Sequence, residues 1–156
     1  MAVKNCGLAG VDELTALTAA ALHDCAKYPE KCGDLLAGFK CPQGVPNPVV
    51  HQFAGAYMAV NYFKITNPAV ISAIKYHTSG RKNMSPLEKL IFLSDMLEEG
   101  RSFDGVNELR TLFYKDLTLC LKAALSHQIK YLHSTGKPVY NLTQKAYDFL
   151  KGENNE

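Results

Sequence analysis

The sequence predicts an all-α fold, a single helical bundle. Strand signals are nearly absent, because β-branched residues never alternate with polar ones over a useful length. Helix-starting punctuation recurs instead, at Asp12, Asn47-Pro48, Asn67-Pro68, Ser85-Pro86 and Asp116. The connections are short, with no internal repeat and no linker long enough to divide the chain.

Each element has its own signal. Asp12 caps a helix running to about Cys25, with Leu14, Leu17, Thr18, Ala21 and Leu22 expected on its buried face. The segment 38–47 is a Gly/Pro-rich loop. Asn47 reads as the N-cap and Pro48 as the first turn of a helix to about Phe63. Asn67-Pro68 repeats the device for a helix through about His77. Ser85-Pro86-Leu87-Glu88 is a capping box opening a helix to about Glu98. A helix from about Gly105 to Tyr114 follows. Asp116 then starts a long one that Gly136 ends, with Pro138 just beyond. A last short helix is expected over about Thr143–Leu150, and residues 151–156 read as a polar, frayed tail.

Composition narrows the function classes. The chain has 156 residues, 47% hydrophobic and 21% charged, which is globular rather than disordered. A net charge of +2 gives no basis for a nucleic-acid partner. No apolar run approaches the ~20 residues of a membrane span. Residues 14–22 are apolar enough to resemble a signal core, but they lack a basic leader and run into His23-Asp24. The five cysteines are odd in number and irregularly spaced, with no C-x-x-C pair. They read as buried or half-buried free thiols, and the chain as a soluble cytoplasmic protein.

The informative feature is the placement of His and Asp. His23-Asp24 closes an apolar helix, His51 opens the next long one, and His77 ends the one after. Asp95 interrupts the apolar stretch Ile91, Phe92, Leu93, Met96 and Leu97, where a carboxylate is costly unless paired or metal-bound. Imidazole plus carboxylate suits a transition metal such as iron, manganese or zinc. Taken singly, each residue has an ordinary structural reading as a cap or a solvated group. His127 and His133, on the long helix, keep that reading.

These motifs resemble the HD superfamily of metal-dependent phosphohydrolases, and within it the bacterial symmetrical diadenosine tetraphosphate hydrolases. The matching stretches are AALHDCAK (20–27), HQFAGAYMA (51–59), AIKYHTSGRKNMSPLEK (73–89), IFLSDMLEEGR (91–101) and GKPVYNLT (136–143). The resemblance implies an HD domain over residues 1–150 around one or two divalent ions, iron by family likeness, although the ligand types admit manganese equally. It implies His23, Asp24 and Asp95 as metal ligands. His51 and His77 are implied as ligands of a second metal, or as phosphate contacts beside a single one. Asp24 and Lys27 are the implied catalytic residues. Lys27, Thr78, Arg81 and Arg101 would contact polyphosphate, and the loop with Pro138, Tyr140, Asn141 and Thr143 would line the nucleoside end. The implied ligands are a dinucleoside polyphosphate or ADP. A homodimer is compatible with so small a helical domain.

The chemistry suits the residue types. Arg offers planar bidentate donors to phosphate, Lys a point charge, and a metal-activated water can attack phosphorus in line. Attack at a β-phosphate of diadenosine tetraphosphate would release two ADP. Competing readings are an HD phosphohydrolase of another nucleotide, or a catalytically impaired nucleotide-binding domain. Two features depart from the family pattern. No His precedes His23, where the pattern has a further ligand on the preceding helix; a late start is the preferred expectation over a lost ligand. Glu99 stands where proline is usual, and is expected to place a negative charge beside Arg101.

Overall fold

A computed structural model describes residues 1–152. Among these residues the chain forms seven α-helices and three short 3-10 turns, with no strand. The helices are α1 (Glu13–Leu22), α2 (Asn47–Asn61), α3 (Pro68–Tyr76), α4 (Pro86–Met96), α5 (Val106–Phe113), α6 (Leu117–Ser134) and α7 (Asn141–Gly152). A 3-10 turn, Val3–Ala9, precedes α1 and packs on α1 and α4. Two more, Pro29–Lys31 and Gly33–Leu36, lie between α1 and α2. Helix α3 is central, packed against α1, α2 and α4, and α6 joins α4 to α5 and α7. The all-α expectation therefore holds.

Local chemistry sets most helix starts. Asp12 accepts from the Thr15 amide, Asn67 from Ala69, and Asp116 from Thr118 and Leu119. The Ser85 capping box is complete: Ser85 takes the Glu88 amide and Glu88 takes the Ser85 amide. Asn47 departs from expectation. It is the first residue of α2, Pro46 occupies the cap position, and no side chain caps that end. Helix α7 starts at Asn141 rather than Thr143, because the Tyr140 carbonyl already accepts the Gln144 amide. It also continues through Lys151 and Gly152, so the tail expected from 151 is helical there; residues 153–156 lie outside the described ones.

The core gathers Ile74, Leu90, Leu93, Phe113, Leu121 and Leu125 around the α3–α4–α6 contact. Burying one such side chain stabilises by roughly 1.5–3 kcal/mol. Helix α1 turns the opposite face inward from the one expected. Ala16 and Ala19 are fully buried, whereas Leu14 is 72% exposed and Leu17 48%. The alanines let α1 sit close to α3, and that leaves the leucines on the outer side. Gly55 plays the same part on α2. A Cβ there would lie 3.4 Å from the His23 carbonyl and 3.6 Å from Cys25 Sγ, so nothing larger than a methyl fits. That close approach brings α2 against the turn carrying His23 and Asp24.

Candidate metal centre

Five side chains from four elements converge where the ends of α1, α3 and α4 meet the first turns of α2. His23 follows the last residue of α1, its amide on the Ala19 carbonyl, and Asp24 lies in the turn beyond. His51 projects from α2, and His77 follows the last residue of α3. Asp95 is in the final turn of α4 rather than mid-helix, because α4 ends at Met96, short of the expected Glu98. That position explains how a carboxylate in an apolar sequence reaches an open cavity.

The donors form two triads sharing Asp24. One is Asp24, His51 and His77; the other is His23, Asp24 and Asp95; within each, candidate ligand atoms lie within 4.8 Å of one another. Asp24 Oδ1 is 3.4 Å from His51 Nε2 and 3.3 Å from His77 Nε2. Asp24 Oδ2 is 3.7 Å from His23 Nε2, and Asp95 Oδ1 is 3.9 Å from the same nitrogen. Asp24 is the residue the two triads share, with its two oxygens turned toward different histidines.

Backbone carbonyls orient the rings. His23 Nδ1 lies 2.7 Å from the Ala20 carbonyl and His77 Nδ1 2.8 Å from that of Ile74, each three residues back. With Nδ1–H given to a carbonyl, Nε2 presents a lone pair. The Nε2 atoms of His51 and His77 face each other at 3.0 Å, both against Asp24. Imidazole nitrogens and a carboxylate oxygen gathered this closely are all atoms able to ligate one divalent cation. The donor set therefore fits a divalent metal.

The electrostatics agree. Burial pushes the His51 pKa down to about 4, helped by His77 and Lys27, so its imidazole is neutral at pH 7. Burial opposes ionisation of Asp24, but His77, Lys27 and His23 outweigh it and hold the carboxyl well below the usual range. Lys27 Nζ is 3.0 Å from Asp24 Oδ2. The Thr78 hydroxyl is 3.0 Å from His51 Nε2. Gln52, fully buried, secures the turn after α3: its Oε1 accepts from the Thr78 and Ser79 amides, and its Nε2 donates to Ser79 Oγ.

A cavity of about 720 Å³ opens beside the two triads. Lys27, His51, His77, Thr78, Asp95 and Arg101 border one part of it, and Phe103, His127 and Tyr131 another. Arg101 donates from Nη2 to Asp95 Oδ1 at 3.1 Å. Its second acidic partner is Glu98, at 3.2 Å, and not the Glu99 expected from sequence. Glu99 contributes its carbonyl to Arg110, whose guanidinium also binds the carbonyls of Leu97, Glu98 and Arg101. Arg110 thus holds the turn that carries Arg101, a positioning role invisible without the tertiary contacts.

Other expected residues stand elsewhere. Arg81 does not border the cavity: its Nε donates to Glu88 Oε1 at 2.7 Å, its Nη1 to the Lys82 carbonyl, and it stacks over Tyr76. Buried Glu88 claims it. Pro138, Tyr140, Asn141 and Thr143 are also outside the lining; Asn141 and Thr143 lie in α7, and Thr143 is buried in the core side of that helix. His127 is the converse case. It was expected to be structurally ordinary, yet it borders the cavity and stacks on Phe103 with centroids 4.6 Å apart. His133 is exposed and outside it. The cysteines are free, half-buried or buried except for exposed Cys41.

Comparison with known proteins accounts for this architecture. The HD domain family model matches residues 2–100, and the chain belongs to that family, a family of hydrolases. The Bacillus subtilis bis(5'-nucleosyl)-tetraphosphatase, symmetrical, is 34% identical over 146 residues, covering 90% of this chain and 78% of the relative. A Mycoplasma pneumoniae protein named probable nicotinate-nucleotide adenylyltransferase/Ap4A hydrolase is 36% identical over 135 residues, covering 81% of this chain and 38% of its own length. A Clostridium acetobutylicum structure, described as a predicted HD superfamily hydrolase involved in NAD metabolism, superposes with a TM-score of 0.87 at 34% identity, covering 97% of this chain and 84% of that one. Among the described residues no helix is long and apolar enough to cross a membrane.

Proposed function

We propose that the protein is a metal-dependent hydrolase that cleaves diadenosine tetraphosphate symmetrically to two ADP. The observation that carries this reading is the pair of acceptor triads joined at Asp24, opening on a cavity with Lys27 and Arg101 at its edge. His23, Asp24 and Asp95 would hold one divalent ion, iron or manganese, and His51 and His77 would join Asp24 for a second. Such an ion supplies Lewis-acid stabilisation of phosphoryl charge and lowers the pKa of the attacking water.

The chain's own groups do the rest. Lys27 is 41% exposed at its side chain and Arg101 44%, so each pairs with a carboxylate and still offers donors to a phosphate. Thr78 places its hydroxyl beside His51, where it can donate to a phosphoryl oxygen. Asp24 orients Lys27 and holds the negative charge that a divalent cation needs. The arrangement stabilises charge on a transferring phosphoryl group through fixed donors, the main demand of this chemistry. The two relatives' names favour the dinucleoside substrate over other nucleotides.

The test is product analysis. Purified protein with iron or manganese and diadenosine tetraphosphate is expected to yield ADP as the sole nucleotide. ATP plus AMP would mean an asymmetric cut and would reject the symmetrical reading. Hydrolysis of another nucleotide at a higher kcat/KM would redirect it to a different substrate.

A further inference from the structure

Arg110 lies on α5 and does not border the cavity, yet its guanidinium is given almost wholly to one turn beside it. Nε donates to the Leu97 carbonyl at 3.1 Å, and Nη2 to those of Glu98 at 2.6 Å, Arg101 at 2.9 Å and Glu99 at 3.4 Å. Nη1 is braced by Asn107 Oδ1 at 3.0 Å, on the same helix. Val106, Leu109 and Phe113 are buried and anchor α5. A fixed cation thus closes the end of α4 and the turn that follows. The last carbonyls of a helix lack intrahelical donors, and its dipole favours positive charge there.

That turn has little else to hold it. Residues 98–102 are exposed, so burial does not fix them. The chain closes on itself there through the Arg101 amide on the Glu98 carbonyl, at 3.0 Å. Asp95 differs. It sits in α4 between Leu93 and Leu97, which are 0% and 1% exposed, so core packing fixes it without Arg110. Loss of Arg110 therefore frees Arg101 and leaves the carboxylate of the metal site in place. We infer that Arg110 is a positioning residue for phosphate binding: it touches no substrate, and it fixes Arg101 where that guanidinium meets a phosphate. The inference rests on the proposed polyphosphate substrate and deepens it. Lysine cannot take over this role, because an ammonium keeps the charge but lacks the planar fork that spans these carbonyls.

The test titrates inorganic pyrophosphate into manganese-loaded wild type, Arg110→Ala, Arg110→Lys, Arg101→Ala and the double variants, with manganese titrations and thermal melts on each. Arg110→Ala is expected to weaken pyrophosphate binding about tenfold, the low end for loss of a group that only orients another. In the Arg101→Ala background the same change should cost less than about twofold, because residues acting through one another are not additive. Manganese affinity is expected to stay at the wild-type value. Arg110→Lys should bind pyrophosphate as poorly as Arg110→Ala, and it carries the comparison in both backgrounds if the alanine variant does not fold. An equal loss in both backgrounds overturns the inference, since Arg110 would not act through Arg101. Full rescue by lysine overturns it too, because charge rather than position would be at work, and so does a parallel loss of manganese. Arg101→Ala without effect on pyrophosphate removes the phosphate contact and the inference with it. Wild-type protein that binds no pyrophosphate overturns the polyphosphate reading itself, and Arg110's role falls with it. Failure to hydrolyse diadenosine tetraphosphate while the contrast between backgrounds persists would reject the reaction and support the positioning role.

Discussion

Asp24→Asn is expected to lower turnover by at least a thousandfold and to strip the protein of tightly bound metal. Asp24 is the one residue common to both triads, with its two oxygens divided between His51 and His77 on one side and His23 on the other. The amide keeps the shape but replaces one oxygen by a donor and removes the charge. Losses of groups that merely orient ligands typically cost 10–100-fold, so loss of a shared ligand should exceed that. Fold stability should change little, because the amide keeps the shape and the Asp24 side chain is 32% exposed, so its pairing with Lys27 is screened by solvent. The measurement is metal content and hydrolysis rate on the same preparation, with a thermal melt as control. A variant that keeps its metal and a tenth of the rate would show that Asp24 is not the bridge.

Glu88 is expected to produce the largest stability effect. Its side chain is fully buried and receives Arg81 Nε at 2.7 Å, the Ser72 hydroxyl and the Ser85 amide at 2.6 Å. One carboxylate therefore joins α3, the loop between α3 and α4, and the start of α4. Breaking a buried, hydrogen-bonded ion pair from one side typically costs about 3–5 kcal/mol. Glu88→Gln should fall near the lower end, since it keeps the volume but sets an amide N–H against a donor. Loosening this loop should also disturb Thr78, which lies within it. Burial raises the Glu88 pKa, but Arg81, Ser72 and Ser85 overcome that and lower it below the usual value. A depressed carboxylate contributes stability that is fully present above its unfolded pKa and is lost as pH falls through the folded one. The gap between wild type and Glu88→Gln should thus be constant at neutral pH and shrink below about pH 4.3. Urea melts across that range would show it, and a gap that widens in acid would refute the assignment.

The parts of this molecule legible in the sequence are those set by short-range chemistry. Asn67, Ser85 and Asp116 cap their helices through side chains reaching two or three residues onward, so spacing alone reveals them. The five His and Asp residues of the two triads were legible for another reason: they stand together at helix ends beside further polar motif residues, and the resemblance to the HD superfamily implied the ligand roles. Side choice was not legible. Helix α1 offers both a leucine stripe and an alanine stripe, and only contact with α3 decides that Ala16 and Ala19 go inward. Arg81 looked like a phosphate ligand until Glu88, seven residues on, claimed it within the same loop–helix unit. Its hydrogen bond is local in sequence, but nothing in the spelling ranks Glu88 above a phosphate as partner. His127 was missed because its value comes from Phe103, which reaches it only through the packing of α5 on α6. Arg110 was missed likewise, since its partners are carbonyls that carry no sequence signal.

As a metal centre driving hydrolysis of a dinucleoside polyphosphate, the His–Asp constellation must lose its activity with its metal. Its most direct test is the rate of diadenosine tetraphosphate hydrolysis as a function of manganese bound per chain, starting from protein stripped by a chelator. The stripped protein is expected to show no turnover, and the rate to rise with occupancy. Full activity in protein holding no metal would contradict it.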